Sequence, residues 1–235
     1  MEAIQSPKKT YDNRFKFAQI ASEDFNKSFK YNDLEIKIAN NTDELAEALA
    51  LTYDIYVNER EYIPKSKLTK TQLKRKMYWD KYDLAPNTIQ LIGIENGEII
   101  ARARLNDKNT PLTEKFSLEK YSAKPIREVS KLIHAQDHRK SIKTMLSLLN
   151  VIYNISKPLG QLFCTSFKHG SNMYEKMGSE IIGEFQNPNF PQDPTSIVHR
   201  WNLETLHLDF LNNPKASKRF VSEMVMPFGG LKYAN

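Results

Sequence analysis

The sequence predicts an α/β fold in which a mixed sheet carries helices on both faces. Three observations support this prediction. Asn96-Gly97 lies between two β-rich runs and reads as a hairpin turn. A strand–turn–helix–strand unit follows between Arg127 and Phe167. Elsewhere, short runs with apolar residues at every second position alternate with longer runs at helical spacing.

Residues 1–33 are polar with scattered aromatics, among them Phe15 and Phe25, and are expected to form an N-terminal helix or arm. Leu34 to Ala39 alternates Leu and Ile with Glu and Lys, a first strand. Asn40-Asn41-Thr42-Asp43 offers capping side chains, and Leu45, Ala48, Leu49, Thr52 and Tyr56 continue as one face of a helix to about Asn58. Pro64 ends it. Six basic residues follow without an acid between them (Lys65, Lys67, Lys70, Lys74, Arg75, Lys76), predicting a mobile basic loop with room for a short helix.

Thr88–Ile94 and Ile99–Leu105 are the hairpin strands, and Arg127–Ala135 alternates as a further strand. The polar turn Gln136–Lys140 opens a helix, Ser141–Ser156, whose apolar face includes Met145, Leu149 and Ile152 and which Pro158 and Gly160 terminate. Strands at Gln161–Phe167, Glu180–Phe185 and Ile197–Leu203 enclose a short helix, Ser171–Met177, and another helix starts at Glu204. The expected organisation is an arm (1–33), a catalytic domain (34–203), and a C-terminal helix and tail (204–235) packed on that domain.

Composition narrows the function. No apolar run in the 235 residues reaches the roughly 18 needed to span a membrane, and mean hydropathy is −0.58. Met1 to Asn13 lacks the apolar core of a signal peptide, so a cytoplasmic location is expected. A single cysteine, Cys164, excludes an internal disulfide and a cysteine-rich metal site; in its apolar strand it reads as a structural thiol. A net charge of +6 favours an acidic partner. Nucleic acid, anionic membrane, phosphorylated cofactors and acidic carrier proteins all satisfy that charge.

The common serine-hydrolase, phosphate-loop, zinc-protease and dinucleotide motifs are absent. His134 and His138 straddle a strand end and a turn and read as surface groups, so no metal is expected. Three polar clusters remain: Trp79-Asp80-Lys81-Tyr82-Asp83, then Arg102 with Arg104 on one strand face, then Arg127-Glu128-Val129-Ser130-Lys131. Each alone reads as solvated or ion-paired surface.

In order and spacing, these clusters resemble the acyl-homoserine-lactone synthases and the related N-acyl amino acid synthases, a branch of the GCN5-related N-acetyltransferase (GNAT) superfamily. Tyr56 and Tyr62 match two aromatics six apart, Asp80 and Asp83 an Asp-x-x-Asp motif, and Arg104-Leu105 an Arg-Leu strand end. Glu128-Val129-Ser130-Lys131 matches Glu-x-Ser-Arg with Lys for Arg, and the resemblance runs from about Leu45 to Gly183. Tyr174-Glu175-Lys176-Met177-Gly178 is similar to a superfamily element whose tyrosine protonates the leaving thiolate. Thr52 stands where the lactone synthases carry Arg. With Lys131, that departure points from S-adenosylmethionine toward a free amino acid as acceptor.

The resemblance implies a mostly antiparallel sheet with one splayed strand pair, and a long-chain acyl transfer from an acyl-carrier-protein or acyl-coenzyme A thioester to an amine. No cofactor is expected to bind tightly. Glu128 is the expected base, and Tyr174 the acid toward the thiolate. Asp80, Asp83, Arg104, Lys131, Tyr56, Tyr62 and Trp79 are expected around the acceptor, with Arg104 or Lys131 on its carboxylate. Leu132, His134, Arg139, Lys140 and Ser141 are expected at the pantetheine phosphate. The turn Gln136–Ser141 lacks the glycines of a pyrophosphate loop, which favours a carrier protein docked on 65–76. An acetyl-coenzyme A N-acetyltransferase, a lactone synthase and a non-enzymatic basic binding module are the alternatives. Nucleic acid is not the expected partner, and peripheral membrane contact stays compatible with the charge.

Overall fold

The computed structural model describes residues 29–31, 33–118, 121, 126–139, 142–187, 194–206, 215–217 and 220–221. Eight strands form one sheet in the order β1-β2-β3-β4-β5-β6-β8-β7. These are β1 (Phe29–Tyr31), β2 (Leu34–Ile38), β3 (Thr88–Glu95), β4 (Glu98–Asp107), β5 (Arg127–His134), β6 (Gln161–Phe167), β7 (Glu180–Gln186) and β8 (Thr195–Asn202). Every neighbouring pair is antiparallel except β5–β6. The helices are α1 (Thr42–Tyr53), α2 (Lys70–Arg75), α3 (Ile142–Ser156) and α4 (Ser171–Lys176).

Local chemistry accounts for most boundaries. The Asn41 side chain caps α1 by accepting from the Asp43 and Glu44 amides at 3.0 and 2.9 Å. Asn96 and Gly97 both adopt positive φ, 52° and 84°, the combination that matches a two-residue hairpin to the strand twist. Residues 142–156 form α3, which buries Leu146, Leu149 and Ile152 against Ile36, Leu91, Ala103 and Val129 of the sheet.

Three expectations change. Phe29–Tyr31, read as part of an arm or helix, is an edge strand, because its backbone pairs with Leu34–Ile36. The first helix does not run regularly to Asn58. It widens after Tyr53 into a π-helical turn, Asp54–Glu59, in which the Arg60 amide donates to the Ile55 carbonyl at 2.9 Å. The basic run is folded: a 3-10 turn at Lys65–Lys67 leads into α2, whose Thr69 and Gln72 form a reciprocal capping box. All six basic side chains of this run are exposed, while Leu68 and Gln72 are buried beneath them. The C-terminal helix expected from Glu204 falls largely outside the described residues.

Candidate active site

β5 and β6 pair only at Glu128↔Phe163 and Val129↔Cys164 and then diverge. The gap opens a cavity of ≈ 980 Å³ that reaches both faces of the sheet. On one face stand Glu128, Ser130 and Lys131 of β5; on the other are Met145 of α3, Cys164 of β6, and Met173 and Tyr174 of α4.

Strand alternation sends Arg102, Arg104, Glu128 and Ser130 to one face, where the Arg104 Nε donates to the Ser130 hydroxyl at 3.0 Å. Lys131 would point to the opposite face in a regular strand. A bulge intervenes: Arg102 pairs with Ile133 but Arg104 with Ser130, and Lys131 adopts φ 50°. This re-aims Lys131 onto the face of its neighbour Ser130.

The Asp-x-x-Asp segment meets these cations. Asp83, fully buried, pairs with Lys131 and Arg102 and lies 3.1 Å from Arg104. Asp80, 30% exposed, accepts from Arg104 at 2.6 Å and lies 3.0 Å from Lys131. The pair is itself folded tightly: the Asp80 amide donates to Asp83 at 2.8 Å, and the Tyr82 amide to Asp80 at 2.9 Å. Thr52 accepts from Arg102 and donates to the Ala48 carbonyl at 2.8 Å, so the helix position that is Arg in the lactone synthases here contacts an arginine from β4.

Burial would raise the Asp83 carboxyl, but Lys131, Arg104 and Arg102 hold it well below the usual carboxylate range. Burial lowers Lys131, against the pull of Asp83. Three cations thus face two acids, and Glu128, whose field also reaches Arg104, completes the balance. Buried ionic networks contribute little net stability relative to apolar packing, while removal of one partner is costly.

Glu128 is 2% exposed. It accepts from the Leu112 amide at 2.8 Å and hydrogen-bonds with Thr110, yet burial raises its pKa. Tyr174 packs its ring 5.2 Å from His199 and 5.8 Å from Trp201. Burial, reinforced by Cys164 and Tyr56, raises its phenol, so it stays protonated. His199 is pushed down to about 4 by burial and bridges the Ser166 and Ser179 hydroxyls at 2.8 and 3.0 Å. Cys164 is buried and its thiol is raised, as a structural thiol requires.

Aromatics line part of the cavity. Tyr56 and Tyr62 meet edge to face at 5.6 Å, and Tyr62 lies 4.7 Å from Phe167. Burial pushes Tyr56 up to about 12. Trp79 also lines the cavity, its carbonyl accepting from Gln72 at 2.8 Å.

Three of the five residues expected at the phosphate line the cavity together. Leu132, His134 and Arg139 line the cavity, but Arg139 is committed to Glu59, its Nη2 at 2.7 Å, and donates from Nε to the His134 carbonyl at 2.8 Å. His134 is buried and its Nε2 has no partner among the described residues; burial lowers its pKa. Lys140 and Ser141 lie outside the described residues. The His134 and His138 rings lie 6.4 Å apart, and His138 bonds Glu95 at 2.7 Å.

The sequence reading passed over Tyr78, Lys115, Leu112 and Asn187, which also line the cavity. Tyr78 lies under the Lys131 ammonium at 4.7 Å and adjoins Trp79, an aromatic doublet that was a usable signal. The long connection between β4 and β5 was a second signal, since loops of that length are commonly functional.

Comparison with known proteins agrees with this geometry. The family model "N-acyl amino acid synthase FeeM" matches residues 47–199. None of the curated proteins compared matches the chain. Among solved structures, BjaI, a coenzyme A-dependent acyl-homoserine lactone synthase solved with SAM and isopentyl-CoA, is 17% identical with a TM-score of 0.54 over 74% of this chain and 82% of that one. FeeM, an N-acyl amino acid synthase from uncultured soil microbes, is 10% identical with a TM-score of 0.53 over 73% and 91%. TofI, solved with an inhibitor and MTA, is 16% identical with a TM-score of 0.52 over 80% and 99%. At these identities the structures speak to the fold, which is GNAT-like. The family match, which spans residues 47–199, identifies the chain as an N-acyltransferase belonging to the FeeM family of N-acyl amino acid synthases.

Proposed function

We propose that the protein transfers a long-chain acyl group from an acyl carrier protein to the α-amine of an amino acid. The observation that carries this reading is Glu128, a buried carboxylate of raised pKa inside the cavity where β5 leaves β6. An ammonium entering there gives its proton to Glu128, directly or through a water. The free amine attacks the thioester carbonyl, the C–N bond forms, and the C–S bond breaks. Tyr174 delivers the proton that the departing thiolate needs, and the second proton shed by the attacking nitrogen, passed on through water, restores the phenol and leaves a neutral amide. The β5–β6 register ends at Val129↔Cys164, and backbone N–H groups turned into the gap beyond it are suited to hold the pantetheine and the developing oxyanion.

The folded aspartate pair keeps Arg104 and Lys131 in place as the wall of the acceptor pocket. For the donor, the exposed cations of 65–76 offer an acidic carrier protein a docking face near the cavity, which Lys67 itself lines. The glycine-free 3-10 turn Gln136–His138 and the engaged Arg139 favour a single pantetheine phosphate over a nucleotide pyrophosphate. The test is purified protein with acyl carrier protein or coenzyme A charged with the same long acyl chain, each with amino acid acceptors and mass spectrometry of the products. N-acyl amino acid formed faster from the carrier supports the reading. Equal or better use of the coenzyme A thioester overturns the donor assignment, and absence of N-acyl product overturns the whole.

A further inference from the structure

We infer that Lys115, backed by the Asn187 carboxamide, is the binding site for the acceptor's carboxylate. The inference rests on the amino acid acceptor proposed above, and it moves the carboxylate contact away from Arg104 and Lys131. Both of those cations are buried against Asp80 and Asp83, so an incoming carboxylate would have to displace a pair already made.

Other cavity cations are also paired. Arg60 and Arg139 bond Glu59, and Lys81 bonds Glu114 at 2.6 Å. Lys115 is different. Its Nζ lies 3.2 Å from the Asn187 Oδ1 and 5.7 Å from the Phe185 ring centre, and no carboxylate among the described residues pairs with it. Lys67 likewise has no carboxylate partner among the described residues, but it stands on the basic 3-10 turn rather than on the segment that holds Glu128.

That segment ties Lys115 to the base. The Leu112 amide donates to Glu128, while the Leu112 carbonyl accepts from the Lys115 and Phe116 amides at 3.0 and 2.9 Å. One turn therefore fixes the distance between ammonium and carboxylate. Burial lowers the Lys115 pKa, and Glu128, Glu114 and Asp80 oppose that, which places the ammonium within their fields. An α-amino acid presents its amine and carboxylate one carbon apart. With its amine at Glu128, its carboxylate can lie on the Lys115 side of the cavity.

The test compares phenylalanine with phenethylamine, the same side chain without the carboxylate, using the thioester donor that the wild type accepts. Lys115→Ala is expected to raise KM for phenylalanine about tenfold, the loss of one charge-assisted hydrogen bond, while KM for phenethylamine moves less than about twofold. Lys115→Arg is expected to recover most of the loss. Equal effects on both acceptors, or an unchanged KM for phenylalanine, would overturn the inference. Calorimetric titration of wild type and Lys115→Ala with phenylalanine, without donor, measures the same loss of affinity independently of turnover. Absence of turnover with either acceptor counts against the N-acyl amino acid reading instead.

Discussion

Glu128 accepts the Leu112 amide at 2.8 Å across the cavity edge, so the candidate base is held by a loop rather than by its own strand neighbours. Glu128→Gln preserves the shape and can still accept that bond, but it cannot take a proton. Turnover is expected to fall at least about a hundredfold. The Glu128 pKa is raised on folding, so its stabilising contribution is present at low pH and is lost as pH rises through the folded pKa. Burial of the carboxylate thus counts against the fold as pH rises, and Glu128→Gln should flatten the wild type's loss of Tm with rising pH. Calorimetry and single-turnover kinetics check both signs; near-normal turnover removes Glu128 from the mechanism.

Asp83 and Asp80 should behave differently despite sharing a motif. Asp83→Asn leaves Arg102, Arg104 and Lys131 under-compensated in a buried site and is expected to cost about 3–5 kcal/mol. Asp80 is partly exposed, and Asp80→Asn should cost far less stability while raising acceptor KM more than donor KM. The Asp83 pKa is depressed on folding, so its contribution is present above the ordinary carboxylate pKa and lost as pH falls through the folded value. Acid unfolding of Asp83→Asn should accordingly begin from a lower plateau and show a weaker pH dependence. Denaturant titrations at several pH values test this.

Gly183 leaves room for Phe116, on the loop that carries Leu112 and Lys115. A Cβ there would lie 2.6 Å from the Phe116 Cζ and 2.7 Å from its Cε2. Gly183→Ala should push Phe116 and the turn that carries Leu112 and Lys115, costing about 1–3 kcal/mol and raising acceptor KM several-fold. Adding Phe116→Leu removes the clashing ring edge and should restore acceptor KM. If the double variant is no better than the single one, the glycine matters for some other reason.

The basic run gives a kinetic prediction. Lys74→Gln, Arg75→Gln and Lys76→Asn together should lower kcat/KM for an acyl carrier protein and flatten its salt dependence, with kcat at saturation moving little. Asn is chosen at 76 because that residue has φ 50°. Stopped-flow association at two ionic strengths measures the effect. Insensitivity to both salt and substitution would mean that this surface does not dock the donor.

The sequence by itself determined most of the elements and the family. Alternating apolar residues, the Asn96-Gly97 turn and the Asn41 cap are local signals, and the strands, hairpin and helix they predict are present. The order of Tyr56, Tyr62, Asp80, Asp83, Arg104, Glu128 and Lys131 was enough to point to the synthase branch. Tertiary structure decided how those residues are used. Lys131 joins the face of Ser130 only because the β5 bulge and a left-handed backbone turn it there, and no periodicity rule anticipates an inserted residue. Arg104 and Lys131 are drawn to Asp80 and Asp83 because burial leaves these two cations almost no water to face, so they pair with the nearest opposite charges. Leu112 reaches Glu128 from a loop whose Phe116 lies close against Gly183, residues far apart in the chain. Pairings of that kind depend on the packing of the whole domain, and local sequence carries no record of them.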